Sequence, residues 1–485
     1  MKNYESWYKA YDIRSIFEEP VDGTFCYSLG KGIGTYLYKL KWDDASFVFA
    51  SDVREANNEL IYWFLKGLEE WWCSKYIGIG VPVEAVDDEQ QQLWWVASTM
   101  MLYWCTKHAF TMWAMFTASH NPPEYVGLKI VNEEALLMES EVLKWLVDTY
   151  EEVPDDIDEE DFKRIWEKAM WEENPFGEMI EEKIFGISRI LSNRFSSLEK
   201  QYKIVVDFSN GAAVGYERIF LEEIVAWAGH EIIYLNELAD SEFRAHLSDT
   251  TDVHDYKQLR EKVQEVSADF GIMFDGDADR LWVVDETWEI IGGDIVSWMI
   301  ALNMLKRWGK RKKVIHDVFF TKAIIEAIEE AWGQPIKSRV WHRFVKELFK
   351  KEDALFGGEL SAHLFFGEVG GFECPLLALY YLMDEVSYST SFSEAVTPYM
   401  KYYKPVLRKY KVKSHEEVEN ILENIKQSYS EYTLDFTDGV WVYAENFWFV
   451  IRASNTEPVL KMVMEADSQD VWDDKIIWLE AVIQS

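Results

Sequence analysis

An apolar run that breaks off into a proline-locked polar loop constrains this chain more than any other feature. Ala109-Phe110-Thr111-Met112-Trp113-Ala114-Met115 is apolar and long enough for a buried strand. It runs directly into Phe116-Thr117-Ala118-Ser119-His120-Asn121-Pro122-Pro123. The paired prolines forbid a helix interior and a strand ladder alike, because proline has no N–H and a fixed φ. Ser119 is therefore predicted on a stiff loop at the carboxyl end of a strand, where open α/β sheets bind their ligands. An ordinary polar turn uses the same residue types, so the meaning of the loop depends on its partners along the chain.

The same strand-then-polar-loop pattern recurs. Phe47-Val48-Phe49-Ala50 predicts a strand, Ser51-Asp52-Val53-Arg54 its carboxyl-end loop, and Glu59 to Trp72 an amphipathic helix. Gly30-Lys31-Gly32-Ile33-Gly34 lacks the G-x-G-x-x-G spacing and a feeding strand, so it points to close helix packing and not to a dinucleotide loop. Alternating strands and helices up to about residue 150 predict an α/β unit with a largely parallel sheet. The acidic, proline-containing run Glu151 to Asp161 reads as a linker. A second α/β unit begins with Lys203–Asp207 and the turn Ser209-Asn210-Gly211. A third begins near Gly292, with strands at Lys313–Asp317 and Ala354–Phe356. From about residue 404, strands at Phe447–Ile451 and Val459–Glu465 flank one polar loop and suggest a smaller α+β domain. A chain of 485 residues is too long for one core, and the boundaries expected are 1–152, 153–290, 291–403 and 404–485.

Charge narrows the partners. The 49 Lys and Arg against 86 Asp and Glu leave a formal charge of −37, so nucleic acid and anionic membrane are excluded as natural partners. Any phosphate site must be locally basic. Cys26, Cys73, Cys105 and Cys374 form no C-x-x-C pair, which argues against a disulfide framework or zinc ribbon and fits a reducing compartment. No apolar segment long enough to span a membrane is present, and Met1 to Trp7 has no signal-type apolar core; a cytoplasmic protein is expected.

Three further loops carry chemistry. Asp275-Gly276-Asp277-Ala278-Asp279-Arg280 sets three carboxylates directly after a strand (Phe270–Phe274), a donor set suited to Mg²⁺. An EF-hand is rejected, because Arg280 stands where glycine is needed and Leu281-Trp282-Val283-Val284 is strand-like. In Gly357-Gly358-Glu359-Leu360-Ser361-Ala362-His363, Glu and Ser at alternate positions would point the same way on a strand and could hydrogen-bond adjacent hydroxyls of a sugar, although the stretch taken alone reads first as a polar turn. Arg452-Ala453-Ser454-Asn455-Thr456-Glu457-Pro458 places a guanidinium beside hydroxyl and amide donors, as binding of a phosphate dianion requires; the alternative is a capped turn with Arg452 in a surface ion pair.

Together these four loops resemble the α-D-phosphohexomutase family, the phosphomannomutases and phosphoglucomutases. The family patterns T-A-S-H-N-P, D-G-D-G-D-R, G-E-x-S-G-H and R-A-S-N-T-x-P occur in order, and Tyr11-Asp12-Ile13-Arg14 matches the amino-terminal signature. The resemblance covers nearly the whole chain. It implies three successive mixed-sheet α/β domains plus a smaller carboxyl-terminal α+β domain around a central cleft. It implies interconversion of hexose 1-phosphate and hexose 6-phosphate, with mannose or glucose as the sugar, through a 1,6-bisphosphate intermediate that also serves as activator. By resemblance, Ser119 is the phosphoserine, and Asp275, Asp277 and Asp279 hold Mg²⁺ together with a Ser119 phosphate oxygen. Arg14 and Arg280 neutralise the transferring phosphoryl, and His120 and Lys129 are the candidates for proton transfer. Glu359 and Ser361 bind the sugar hydroxyls, with His342 nearby in a Lys-x-Gly-His-like segment. Arg452, Ser454, Asn455 and Thr456 hold the phosphate that is not reacting. The partner is a small sugar phosphate, and the protein is a monomer or small homo-oligomer.

Departures from the patterns fall close to the site. Ala278 and Ala362 replace glycines, Phe319 stands where a lysine is expected, and Arg339-Val340-Trp341-His342 carries an indole where a small residue is usual. Gly80 to Trp95 resembles an insertion, Ser51 stands where arginine is common, and Phe243-Arg244-Ala245-His246-Leu247-Ser248 replaces a more basic loop. The alternative reading is a non-catalytic or weakly active relative that binds sugar phosphates; retention of Ser119, the three aspartates, Arg280 and Arg452 favours the enzyme. Leu360 fits the hexose mutases better than phosphoglucosamine mutase, which usually has glutamine there.

Overall fold

The computed structural model describes residues 8–9, 12–41, 45–70, 73, 75–86, 93–107, 110–139, 142–144, 153, 157–170, 176–247, 253–405, 407–412, 414–453 and 459–484. The chain divides into two compact units, Met1–Ile291 with Phe372–Met383, and Gly292–Gly371 with Asp384–Ser485.

The first unit opens with β1 (Tyr8–Lys9), β2 (Asp12–Phe17), β3 (Pro20–Val21), α1 (Gly23–Lys41), β4 (Phe47–Ser51) and α2 (Asn57–Glu70). It continues with β5 (Tyr76–Gly78), β6 (Val81–Val83), β7 (Leu93–Val96), α3 (Thr99–Thr106), β8 (Met112–Phe116) and β9 (Tyr125–Asn132). The sheet runs β1-β2-β9-β8-β4-β7-β6, with β3 on β2 and β5 on β4. Every residue of β4 and β8 is buried, as expected for apolar runs at the centre of a sheet covered on both faces.

The sheet is parallel around β4, which pairs in parallel with β5, β7 and β8, and where β3 joins β2. β9 lies antiparallel to both β8 and β2, so the largely parallel sheet expected from the sequence is corrected to a mixed one. The Ser119 loop is the reason: it returns the chain from β8 to β9 through a short connection, which only antiparallel neighbours allow. The Gly80 to Trp95 segment contributes β6 and most of β7, an antiparallel pair at the far end of the sheet.

Glycine spacing in α1 has the structural role read from the sequence. A Cβ on Gly30 would lie 2.0 Å from the Phe64 carbonyl oxygen, and one on Gly67 would lie 2.1 Å from that of Tyr27. The α1 and α2 backbones thus touch, an approach that only glycine permits.

α4 (Glu159–Ala169), α5 (Gly177–Phe195), β10 (Lys203–Asp207), α6 (Tyr216–Phe220) and β11 (Glu231–Leu235) follow, then α7 (Lys257–Val266), β12 (Phe270–Phe274), β13 (Leu281–Asp285) and β14 (Ile290–Ile291). Their sheet is ordered β11-β10-β12-β13-β14. The end of the expected linker is helical: Asp158 caps α4 by accepting from the Asp161 N–H at 2.8 Å. Glu159, Glu160 and Asp161 lie in its first turn, where acidic side chains favour the helix dipole. Residues 151–152 and 154–156 lie outside the described residues.

The second unit contains α8 (Gly293–Trp308), β15 (Lys313–Asp317), α9 (Lys322–Glu330), β16 (Gln334–Ser338), α10 (His342–Glu352), β17 (Phe356–Gly358) and β18 (Leu364–Phe366). The strands are ordered β16-β15-β17-β18. β19 (Phe372–Glu373) and most of α11 (Pro375–Val386) go with the first unit. The chain ends with β20 (Arg408–Lys411), α12 (His415–Ser428), β21 (Thr433–Asp435), β22 (Val440–Tyr443), β23 (Phe447–Ala453), β24 (Val459–Ala466) and α13 (Gln469–Gln484). This last sheet, β20-β24-β23-β22-β21, is antiparallel throughout.

Period-two burial covers both faces of that sheet. Val442, Phe449, Ile451, Leu460 and Met462 share a core with Ile425 of α12 and Leu479 of α13. Trp441, Trp448, Val450 and Val463 face the other way and enclose Val318 and Phe319 from the loop after β15. The Trp441 and Trp448 rings stack at 5.0 Å and 10°. Phe319, where a lysine was expected, is thus part of an apolar seam.

The α1–α2 crossing makes a paired test. Gly30→Ala should lower the thermal unfolding midpoint, at a cost of about 1–3 kcal/mol for overpacking. Gly186→Ala in α5 should leave the midpoint unchanged or raise it, since its Cβ would meet only Trp104 Cζ2, at an ordinary 3.6 Å.

Candidate active site

Ser119 sits at the end of β8 with φ +52°, in the left-handed region. Such a conformation persists in a non-glycine residue only where its surroundings impose it. Here the Ser119 N–H donates to Thr117 Oγ1 at 2.8 Å, and Thr117 Oγ1 donates to Asp52 Oδ2 at 2.6 Å. Arg54 completes the hold. Its Nε donates to Asp52 Oδ2 at 3.1 Å, and its two terminal nitrogens reach the carbonyl oxygens of Ser119 (3.1 Å), Asn121 (2.6 Å), Pro122 (2.6 Å) and Tyr125 (2.9 Å). The guanidinium is buried and lies over the Phe243 ring at 5.1 Å. Asp52 and Arg54 fall in the expected carboxyl-end loop, but nothing local marks this role, because the serine-loop partners lie more than sixty residues away.

The carboxylate loop meets this serine. Ser119 Oγ donates to Asp275 Oδ2 at 3.1 Å and lies 3.3 Å from His120 Nδ1. Ligand atoms of Asp275, Asp277 and Asp279 lie within 4.8 Å of one another, all three side chains buried. Asp277 Oδ1 has no hydrogen-bond partner among the described residues. Clustered hard oxygen donors with an unsatisfied buried oxygen fit a divalent cation such as Mg²⁺.

Lys129, from β9, donates to Asp277 Oδ2 at 2.5 Å and Asp279 Oδ2 at 2.8 Å. Burial alone would push its pKa down, but the two carboxylates outweigh this and hold the ammonium above its ordinary value. Arg280 Nε lies 3.4 Å from Asp275 Oδ2 and 3.9 Å from Asp279 Oδ1. Arg14 donates to Asp12 Oδ2 at 2.9 Å and to Asn121 Oδ1 at 2.8 Å, which ties it to the serine loop. Ser119, His120, Lys129, Arg14, Arg280 and the three aspartates are therefore gathered within the first unit. Tyr11 lies outside the described residues.

Two supports were not visible in the sequence. Thr99 Oγ1 donates to Asp277 Oδ2 at 2.6 Å, and the Thr99 N–H donates to the Asp277 carbonyl at 3.0 Å, so the start of α3 grips the carboxylate loop. The turn after β10 supports the same loop: Ala212 N–H donates to the Gly276 carbonyl at 2.9 Å, and a Cβ on Gly211 would lie 2.8 Å from that oxygen. The Phe243–Leu247 segment serves structure: His246 Nε2 lies 3.1 Å from Asp207 Oδ2, and Arg244 pairs with Asp240.

In the second unit, β17 ends at Gly358, and Glu359-Leu360-Ser361-Ala362 forms a tight turn in which Ala362 N–H donates to the Glu359 carbonyl at 2.9 Å. Of the two readings of this stretch, the polar turn is therefore the one adopted, and the strand-like alternation of Glu359 and Ser361 is corrected. Both nonetheless converge on His363 Nδ1, Glu359 Oε2 at 2.9 Å and Ser361 Oγ at 2.9 Å. His342 stacks on His363 at 5.8 Å. Asp317 orders this turn by accepting the N–H groups of Phe319 (2.8 Å) and Leu360 (2.9 Å). Burial, reinforced by the nearby Glu359 charge, pushes its carboxyl up to about 7. Arg452, buried on β23, donates from Nε to Asp438 Oδ1 at 3.0 Å. Ser454, Asn455 and Thr456 lie outside the described residues.

The glycine replacements fall at positive φ: Ala278 at +54°, Ala362 at +66° and Trp341 at +133°. Each pays the steric cost of a Cβ in a region that glycine enters freely.

Beneath α3 lies a buried acid that yields a pH prediction. Ser98, the cap of α3, donates to Glu217 Oε1 at 2.5 Å, and burial pushes the Glu217 carboxyl up to about 7 from an ordinary 4.5. A carboxyl raised in the native state contributes stability below its unfolded value and loses it as pH rises through its folded value. Between about pH 4.5 and 7 the native state should thus lose up to about 3 kcal/mol from this group. Denaturant titrations of Glu217→Gln at pH 5 and pH 8 should show its stability relative to wild type rising at the higher pH.

Comparisons with known proteins agree with this geometry. The sequence matches the family description "Phosphoglucomutase/phosphomannomutase, alpha/beta/alpha domain I" over residues 6–155, domain II over 187–291, domain III over 292–401 and the C-terminal domain over 405–474. It is 35% identical over 473 residues to the phosphomannomutase of Methanocaldococcus jannaschii, covering 97% of this chain and 95% of that protein. A phosphoglucomutase/phosphomannomutase family protein of Burkholderia thailandensis shares the fold with a TM-score of 0.78 at 21% identity, over 99% of this chain and 98% of that one. The N-acetylphosphoglucosamine mutase of Aspergillus fumigatus, solved with GlcNAc-6P and magnesium, gives 0.56 at 14% identity over 79% and 91% of the two chains. The chain belongs to the phosphoglucomutase/phosphomannomutase family and is, with it, an intramolecular phosphotransferase.

Proposed function

We propose that this protein interconverts a hexose 1-phosphate and a hexose 6-phosphate, with Ser119 as the phosphoryl carrier and a hexose 1,6-bisphosphate as intermediate and activator. The observation that carries the reading is Ser119 Oγ held 3.1 Å from Asp275 Oδ2, inside a triad of buried carboxylates. Phosphoryl transfer depends mainly on in-line positioning and charge neutralisation. Asp275, Asp277 and Asp279 would hold Mg²⁺, which when bound supplies positive charge for the phosphoryl oxygens.

In the first half-reaction the phosphoryl leaves Ser119 Oγ for a sugar hydroxyl, whose proton passes by way of His120, 3.3 Å from Ser119 Oγ, to the departing serine oxygen; Lys129, the other candidate, is held as an ammonium by Asp277 and Asp279 and serves by its charge. In the second, the bisphosphate returns its other phosphoryl to Ser119 and a proton goes back to the sugar oxygen. Arg14 and Arg280 offset the charge of the moving group. Arg54 keeps the serine loop in the conformation from which Ser119 projects. Glu359 and Ser361 bind sugar hydroxyls, aided by His342, and Arg452 with Ser454, Asn455 and Thr456 takes the phosphate that is not reacting. Leu360, packed in the apolar seam with Phe319 and Trp441, favours hexose over glucosamine substrates, since it brings no polar group to the turn.

Incubation with glucose 1,6-bisphosphate should add one phosphoryl group to the intact mass, and Ser119→Ala should abolish the adduct; an adduct that survives overturns the assignment. Arg452→Ala should cut kcat/KM by about 10- to 150-fold for the 1-phosphate and the 6-phosphate alike, because a charge-assisted bond to phosphate is worth ~1.5–3 kcal/mol. A loss confined to one substrate would remove Arg452 from the phosphate site.

A further inference from the structure

In the second unit, hydrogen bonds on either side of the Val340–Trp341 peptide link two places that the proposed function gives separate tasks. Arg452, on β23, is 5% exposed, and its Nε donates to Asp438 Oδ1 at 3.0 Å. The other oxygen of the same carboxylate, Asp438 Oδ2, accepts the Val340 N–H at 2.9 Å. The next residue, Trp341, donates its N–H to Glu359 Oε1 at 2.8 Å. Glu359 Oε2 then meets His363 Nδ1 at 2.9 Å, beside Ser361. One carboxylate thus serves the phosphate-binding guanidinium with one oxygen and the backbone that orients the sugar-binding glutamate with the other.

The surroundings leave this carboxylate little freedom. Asp438 lies in the connection between β21 and β22, next to Gly439 at φ +84°. A Cβ on Gly439 would lie 2.3 Å from the Ile451 carbonyl oxygen and 2.6 Å from Arg452 Cβ, so the turn is pressed against the strand that carries the arginine. At the other end, Trp341 holds φ +133°, a conformation that a residue with a side chain keeps only when its partners impose it. Rotation of the Asp438 carboxylate towards either partner breaks its bond to the other. Buried networks of this kind contribute more than the sum of their pairs.

We propose that Asp438 is a positioning residue that couples the two loops, so that seating a phosphate on Arg452 sets Glu359 for the sugar hydroxyls, and the reverse. The inference rests on the roles proposed above for Arg452 and Glu359. It accounts for why a chain with tryptophan at position 341 keeps that residue's N–H on Glu359. It also gives one substrate molecule a reason to bind more tightly than its phosphate and its sugar would separately.

The test is a double-mutant cycle in the Ser119→Ala protein, which cannot carry a phosphoryl group, with the Kd of glucose 6-phosphate measured by calorimetry. Arg452→Ala and Glu359→Gln should each weaken binding. Together they should weaken it by less than the product of the single effects, the shortfall being a factor of roughly 3 to 10. In an Asp438→Asn background, where the amide can satisfy one neighbour as acceptor but not both, the two effects should multiply. A purely structural role for Asp438 would change the thermal midpoint without creating a shortfall. If both single substitutions weaken binding and their effects multiply with Asp438 in place, the roles of Arg452 and Glu359 stand and the coupling is overturned. If neither weakens binding, those roles fall and the inference falls with them. If Asp438→Asn does not fold, the cycle with Asp438 intact still overturns the coupling when the two effects multiply, and Asp438→Glu, which keeps both oxygens but displaces them, should shrink the shortfall.

Discussion

Three carboxylates buried within 4.8 Å of one another repel, and the active region of the first unit depends on the counter-charge that lets them stay together. The protein's own contribution is the ammonium of Lys129, held between Asp277 and Asp279 and kept charged by them, with the Arg280 guanidinium 3.4 Å from Asp275. Because Lys129 lies on β9 and the aspartates follow β12, this contact also joins two sheets. Removing one partner of such a buried pair leaves an uncompensated charge, which costs far more than the pair itself contributes. The serine loop, the Thr99 clamp and the Gly211 turn all close around this arrangement.

A second constraint is backbone strain. Ser119 and Ala278 occupy left-handed conformations in the two loops that meet at the carboxylates, and Trp341 and Ala362 do so around the Glu359 turn. Strain of this kind survives only where hydrogen bonds over-determine the backbone. Arg54, with four loop carbonyls, and Asp317, with two N–H groups, do this for their respective loops. Both are buried ionisable side chains whose hydrogen bonds go to main-chain geometry.

The third constraint is apolar. The seam formed by Phe319, Trp441 and Trp448 fixes the third α/β sheet and the last sheet to each other, and polar contacts reinforce it: Lys337 donates to Asp435 at 2.6 Å and to Tyr443 at 2.8 Å, with its ammonium 4.2 Å from the Trp441 ring centroid. The loop after β15, a departure from the family pattern, thereby becomes part of what holds the strand that carries Arg452 in place.

Much was legible in the sequence because it was local. Apolar runs followed by polar loops marked β4, β8, β12 and β15, and the glycines of α1 foretold a close helix crossing, since these features depend on near neighbours in the chain. The serine and carboxylate loops were equally readable as polar loops at strand ends, because Ser119 with its prolines, and three aspartates at alternate positions, each stand in one short stretch of chain. What only the tertiary structure decided was the choice of partners. Thr99 on Asp277, Arg54 on the serine loop and Asp438 between Arg452 and Val340 join residues far apart in sequence, and the residue types alone, ordinary threonine, arginine and aspartate, carry no mark of it. The mixed order of the first sheet and the tight turn at Glu359 were likewise set by hydrogen bonds that close only once strands from different parts of the chain lie side by side.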